Sequence, residues 1–265
     1  MSGISAREVQ ELRRATGVGM MDAKRALEET AGDFEAAVKW LREQGLAKSA
    51  KLAGRQQSDG AVAVALREGV AALVELKAET DFAAKGDDFV NLTEELADLV
   101  AERGEDAVAE RKEDIENLRI TKKENIELGK VVRWEFPADH VVDAYVHRQD
   151  GRGKVGVLLE VEGDVSRDDV HQIALHIAFA RPRYLSRGEV PDEEVERERE
   201  TLREQARNEG KPEQAIDKIV EGRLTAWYKE SVLEEQDLFG EKNRPVKALL
   251  GSGRIVRFAL AAVGE

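Results

Sequence analysis

From residue 59 onward the hydrophobic pattern lays out a hairpin, a helix and a later strand, and then lays them out a second time. Residues 60–66 and 69–78 read as strands joined at Arg67-Glu68. Phe89, Leu92, Leu96, Leu99 and Val100 then mark one face of a helix, a charged helical stretch covers 105–118, and 129–136 reads as a strand stopped by Pro137. The second round uses 141–148 and 154–162 as a hairpin, 166–180 as a helix and 253–263 as a final strand. Residue identity between the rounds is poor, so the repeat is one of structure. It predicts an α+β fold whose core is two similar subdomains with antiparallel sheets, at 59–139 and 140–265.

The segment before residue 59 has a different period. Ser5-Ala6-Arg7-Glu8 is a capping box, in which the serine oxygen takes one free N–H and the glutamate reaches back to another. Val9 and Leu12 share the face that follows. Thr16-Gly17-Val18-Gly19 ends this helix, Ala23, Ala26 and Leu27 mark a second, and Phe34, Ala37, Val38 and Leu41 a third that Gly45 is expected to close. Three helices within residues 1–50 make a minimal bundle, with 51–58 as a linker. Met20 and Met21 follow the glycine-flanked turn. Methionine adapts to irregular surfaces, so this corner is either core filling or a contact.

Inside the second subdomain the pattern is interrupted. Residues 191–208 are almost wholly charged, with a thin apolar stripe of Val195, Leu202 and Ala206. After the turn at Gly210-Lys211-Pro212, Ile216, Ile219, Val220 and Leu224 give a second helix. Two helices around such a turn form an antiparallel hairpin, inserted at about 187–228.

Composition removes several kinds of chemistry. The chain has no cysteine, which excludes disulfides, thiolate zinc sites and a cysteine nucleophile. Its net charge of −13 argues against non-specific nucleic-acid binding. The first 55 residues carry ten Lys/Arg against eight Asp/Glu and the remainder 31 against 46, so the opening segment is a separate electrostatic unit. There is no apolar run long enough for a membrane helix and no signal-peptide pattern at the start, which reads as a soluble cytoplasmic protein. The Gly-Arg-Gly-Lys-Val-Gly stretch at 151–156 fits a dinucleotide pattern, but a strand follows where the mechanism needs a helix, so it reads as a hairpin turn. His171 and His176 lie about 140° apart on a helix, and with His140 and His147 they make no zinc site. No nucleophile elbow is present. No catalytic residue, cofactor or metal is expected.

Two features point outward. Residues 79–85, Glu-Thr-Asp-Phe-Ala-Ala-Lys, place a large aromatic, Phe82, in a loop between strand and helix. A phenylalanine left in water forgoes roughly 1.5–3 kcal/mol of burial. Either Phe82 folds back onto its own core or it is a wedge for a partner, and spacing leaves both open. The helix from Ser166 has a core face of Val170, Ile173, Ala174 and Ile177. Leu175 and Phe179 lie opposite, with Gln172 and His176 beside them. A helix apolar on two sides is either sandwiched or offered to a partner.

Residues 12–27, from Leu12 through Met20-Met21 to Leu27, closely resemble the first signature of the bacterial translation elongation factor Ts family. Glu75-Leu76-Lys77-Ala78-Glu79-Thr80-Asp81-Phe82, with Ala84-Lys85, resembles the second, and the likeness extends over nearly the whole chain. The resemblance implies a UBA-like three-helix domain, two core subdomains and a coiled-coil arm. It also implies a guanine-nucleotide exchange factor, not an enzyme, whose partner is the GTPase elongation factor Tu. Thr80, Asp81, Phe82 and Ala83 would act near that GTPase's Mg²⁺ site. Leu12, Met20 and Met21 would meet its G domain, and Leu175, His176 and Phe179 its third domain. Neither nucleotide, nucleic acid nor membrane would bind directly, and a homo-oligomer is compatible with the family. Three departures stand out. Ala83 replaces the usual valine, Lys123-Glu124 replaces Gly-Glu, and the chain is expected to lack the C-terminal helical module of some members. Two other classes compete: a scaffold that uses the helical domain and arm, and a nucleotide-using enzyme built on 151–156.

Overall fold

The computed structural model of the chain describes residues 4–49, 52, 54–241 and 243–265. Residues 1–3 and 50 of the expected first unit, and 51 and 53 of the expected linker, lie outside the described residues.

Three helices come first: α1 (Ala6–Thr16), α2 (Met20–Glu29) and α3 (Phe34–Ser49). The capping box forms as expected, Glu8 N–H donating to Ser5 Oγ and Ser5 N–H to Glu8 Oε2. Leu12, Ala23, Ala26 and Ala37 are fully buried between the helices. Gly45 does not end α3, which runs on to Ser49. A Cβ on Gly45 would lie 2.7 Å from three side-chain carbons of Ile120, so the glycine permits close packing of this helix on the body.

The body is two three-stranded antiparallel sheets. The first has order β1 (Asp59–Arg67), β2 (Val70–Ala78), β3 (Glu127–Glu135); the second has order β4 (Val141–Gln149), β5 (Arg152–Glu162), β6 (Arg254–Ala262). Strand alternation assigns each sheet two buried faces. Ala61, Ala63, Ala72, Val74 and Leu76 pack beneath helix α5 (Asp87–Arg103). Val62, Ala71 and Leu73 instead meet Val142, Leu158, Ala259 and Ala261 of the other sheet. Val157, Leu159 and Val161 pack beneath helix α7 (Arg167–Ala180). The order is therefore helix, sheet, sheet, helix. A Cβ on Gly156 would lie 2.4 Å from Val62 Cγ1, so a glycine lets the sheets approach there.

Two stretches differ from expectation. The loop at 80–85 contains one helical turn, α4 (Asp81–Ala84). The charged stretch at 105–118 is a 3₁₀ turn, Glu105–Arg111, followed by α6 (Lys112–Lys122). Helices α8 (Asp192–Asn208) and α9 (Glu213–Ser231) form the inserted hairpin. The chain after it, including the short helix α10 (Lys247–Leu250), packs against α7 with Leu233, Leu238, Val246, Leu249 and Leu250.

Candidate functional site

Phe82 sits at the tip of α4 with 85% of its surface exposed. The turn beneath it is held on several sides. Thr80 caps it, accepting from Ala83 N–H, while Glu124 accepts both from Thr80 N–H at 3.0 Å and from the Thr80 hydroxyl at 2.5 Å. Glu79 accepts from Asn125 N–H at 2.6 Å, and Ser58 donates to the Glu79 carbonyl at 3.2 Å. Ala83 and Ala84 are buried in the core under α5. Backbone fixed at its base and an unsupported aromatic at its tip describe a rigid projection.

Asp81 lies beside Phe82 and accepts from Lys85 at 2.7 Å. That bond holds the Asp81 carboxyl below the usual carboxylate range and the Lys85 ammonium above its usual range. Asp81 is thus ionised at neutral pH, paired but partly exposed. Ala83, expected with its neighbours to act near a partner's Mg²⁺ site, faces inward, so its size bears on packing under the turn. Lys123 has φ of 60° as the C-cap of α6, a conformation glycine adopts without cost. The replacement therefore preserves the backbone that aims Glu124 at Thr80, and Lys123 adds an ion pair to Asp22 of α2 at 2.9 Å.

Met20 and Met21 are both exposed at the start of α2, Met21 by 75%. Leu12, expected beside them as a contact, has no exposed surface and is a core residue of the bundle. On α7, Phe179 is exposed and Leu175 half-buried, as expected of an outward face. His176 is not part of that face, having only 3% exposure. Its Nδ1 accepts from Phe239 N–H at 3.0 Å and its Nε2 pairs with Gln236 Oε1 at 2.8 Å. Both nitrogens are spent inside the chain. Phe239, not anticipated from the sequence, is exposed and stacks on Phe179 with centroids 4.7 Å apart. The signal was available: like Phe82, it is an aromatic in a polar loop.

The sites at Met20-Met21, Phe82 and Leu175-Phe179 are separate, and the structure does not gather them into one cavity. Among the described residues no group of His, Asp and Glu is arranged to hold a metal, and no helix is long and apolar enough to cross a membrane. The 151–156 stretch turns from β4 into β5, with no helix behind it.

The sequence profile of the family described as Elongation factor TS matches residues 79–265, beginning at the strand end that carries the Phe82 turn. A protein named Elongation factor Ts from Nocardioides sp. is 43% identical, the alignment covering all of both chains. One of the same name from Lactiplantibacillus plantarum is 39% identical over all of this chain and 94% of that protein. Full-length identity at this level, joined to the profile match, places the chain: it belongs to the elongation factor Ts family.

Proposed function

We propose that this chain is a guanine-nucleotide exchange factor of translation elongation, which binds elongation factor Tu carrying GDP and promotes release of the nucleotide. Membership of the family supports the role. The observation that carries the mechanism is Phe82, an exposed aromatic on a turn tied down at its base. Burial of Phe82 in the GTPase recovers the roughly 1.5–3 kcal/mol it forgoes in water and drives Thr80, Asp81 and Phe82 toward the Mg²⁺ and phosphate site. Displacing the cation removes charge neutralisation from the β-phosphate.

The factor makes and breaks no bond. It binds nucleotide-free GTPase better than loaded GTPase, and linkage requires that it weaken nucleotide binding by the same factor. GTP then enters because it is in excess in the cytoplasm, where the pair would meet. Met20 and Met21, on a UBA-like bundle, are a second contact with Leu12 as support beneath. Leu175 and Phe179 are a third, with His176 behind it rather than in it. The coiled-coil arm takes no part in this scheme.

Release of a fluorescent GDP from the cognate elongation factor Tu tests the reading. The wild-type chain should accelerate it strongly. Phe82→Ala should lose most of the acceleration at an unchanged thermal midpoint, because no packing is removed. Full acceleration by a stable Phe82→Ala protein would move the mechanism away from this turn.

A further inference from the structure

The Phe82 turn is packed within the first sheet's subdomain, yet the second reaches its end through Asp150, 3.7 Å from Lys85. The turn joining β4 to β5 reaches across: Asp150 and Gly151 take left-handed backbone angles, φ 53° and 79°, and the next strand starts against β1. A Cβ on Gly153 would lie 2.0 Å from the Val62 carbonyl oxygen, so the two backbones touch with no room between them. Arg152, the largest fully buried side chain in the molecule's described part, has 1% exposure. Its Nε donates to the Gly60 carbonyl at 3.0 Å and its Nη2 to Asp59 at 2.9 Å, while Lys154 donates to the same Asp59 oxygen at 2.9 Å. Its Nη1 is buried with no hydrogen-bond partner among the described residues.

Directly beside this pin, Lys85 lies between two carboxylates, Asp81 at 2.7 Å and Asp150 at 3.7 Å. Six charges from the two subdomains thus alternate through one patch: Asp59, Asp81 and Lys85 from the first, Asp150, Arg152 and Lys154 from the second. The middle of the sheet-to-sheet interface is apolar, with two further polar contacts, Lys130 to the Leu260 carbonyl and Arg257 to the Glu135 carbonyl, and apolar attraction is non-directional. Directional bonds at one end fix the register there, and that end carries Phe82.

We propose that the turn at 150–153 is the seat of the exchange turn, with Arg152 and Asp150 as positioning residues: Arg152 locks β5 to the start of β1, and Asp150 retains Lys85 when Asp81 turns to the partner's cation site. The inference rests on the exchange reading above. It explains why a charged side chain is buried between β5 and the start of β1. It also gives the dinucleotide-like stretch a structural purpose, since glycines allow the close approach and the arginine makes the lock.

The test is fluorescent-GDP release from the cognate GTPase at increasing concentrations of Asp150→Asn, Arg152→Met, Arg152→Lys and wild-type protein. Asp150 is half exposed, so Asp150→Asn should keep the wild-type thermal midpoint. Asp150→Asn and Arg152→Met should lower the maximal exchange rate by about tenfold, within the roughly hundredfold that a 1 Å misplacement can cost, with the half-saturating concentration within about twofold of wild type. Arg152→Lys, which keeps a cation against Asp59, should recover part of the rate. Wild-type acceleration with both variants also at the wild-type maximum overturns the proposal and leaves the exchange reading standing. A loss confined to Arg152→Met that tracks its thermal midpoint, with Asp150→Asn at the wild-type rate, reduces Arg152 to a fold residue and overturns it too. If the wild-type chain accelerates nothing, the exchange reading falls, and the seat falls with it.

Discussion

His176 is buried on α7 with both ring nitrogens bonded inside the chain. A backbone N–H can only donate, so the Nδ1 that faces Phe239 N–H is an acceptor and Nε2 carries the proton to Gln236 Oε1. Gln236 in turn donates to the Glu230 carbonyl. This chain of bonds needs a neutral imidazole, and burial pushes the His176 pKa below its ordinary value against a smaller opposing effect of the Gln236 bond. A pKa depressed on folding means that stability is complete above the unfolded value, about 6.5. It declines as pH falls from there toward the folded value, because the unfolded chain gains a proton that the folded one resists. The wild-type thermal midpoint should therefore drop faster below pH 6.5 than that of His176→Asn, whose amide oxygen still accepts from Phe239. Parallel pH profiles for the two proteins would remove this role. The position on α7 was legible from the helical period. The burial was not, because the partner Gln236 lies 60 residues away in a segment with no periodic signal.

At the scale of elements, α4 is a single turn that would not exist alone, since helix nucleation is unfavourable for so few residues. Its existence depends on Thr80 at the cap and on Glu124, which comes from the end of α6. Glu124→Ala removes two acceptors from Thr80 and should cost about 1 kcal/mol of stability. It should lower the exchange rate through a looser Phe82, read as faster amide exchange across 81–86. Unaltered amide protection would show that the buried Ala83 and Ala84 hold the turn by themselves. Strand and helix periods revealed α5, α7 and both hairpins, because alternation and the 3.6-residue repeat are local. The continuation of α3 through Gly45 was hidden, since glycine reads as a helix stop unless its neighbour Ile120 is known to need the space. Glu124 was hidden for the same reason: its role requires that α6 return to the edge of the Phe82 turn.

Across the whole molecule, apolar clusters divide the chain in a way that separates working parts. The sheets and their covering helices share a continuous body, pinned by Arg152 at the end that bears Phe82. The α8–α9 hairpin has a core of its own: Leu202, Ala206, Ile216, Val220 and Leu224, joined by Val195, Ile219, Trp227 and Tyr228. It is fastened to the body at its base, where Arg183 and Tyr184 bond Glu194, and Arg187 pairs with Glu235 while lying over the Tyr228 ring. Its outer surface is laced with ion pairs such as Arg207–Glu213 and Arg223–Glu209, each worth little by itself. The hairpin should accordingly open as a unit independent of the Phe82 turn. Leu224→Ala, which empties a buried site, should cost about 2–5 kcal/mol, felt as lost amide protection confined to α8 and α9. GDP release should stay at the wild-type rate, because the base contacts and the Arg152 lock are untouched. If the variant instead slowed release while α5 and α7 kept their protection, the arm would have to reach the GTPase or steer the body that does.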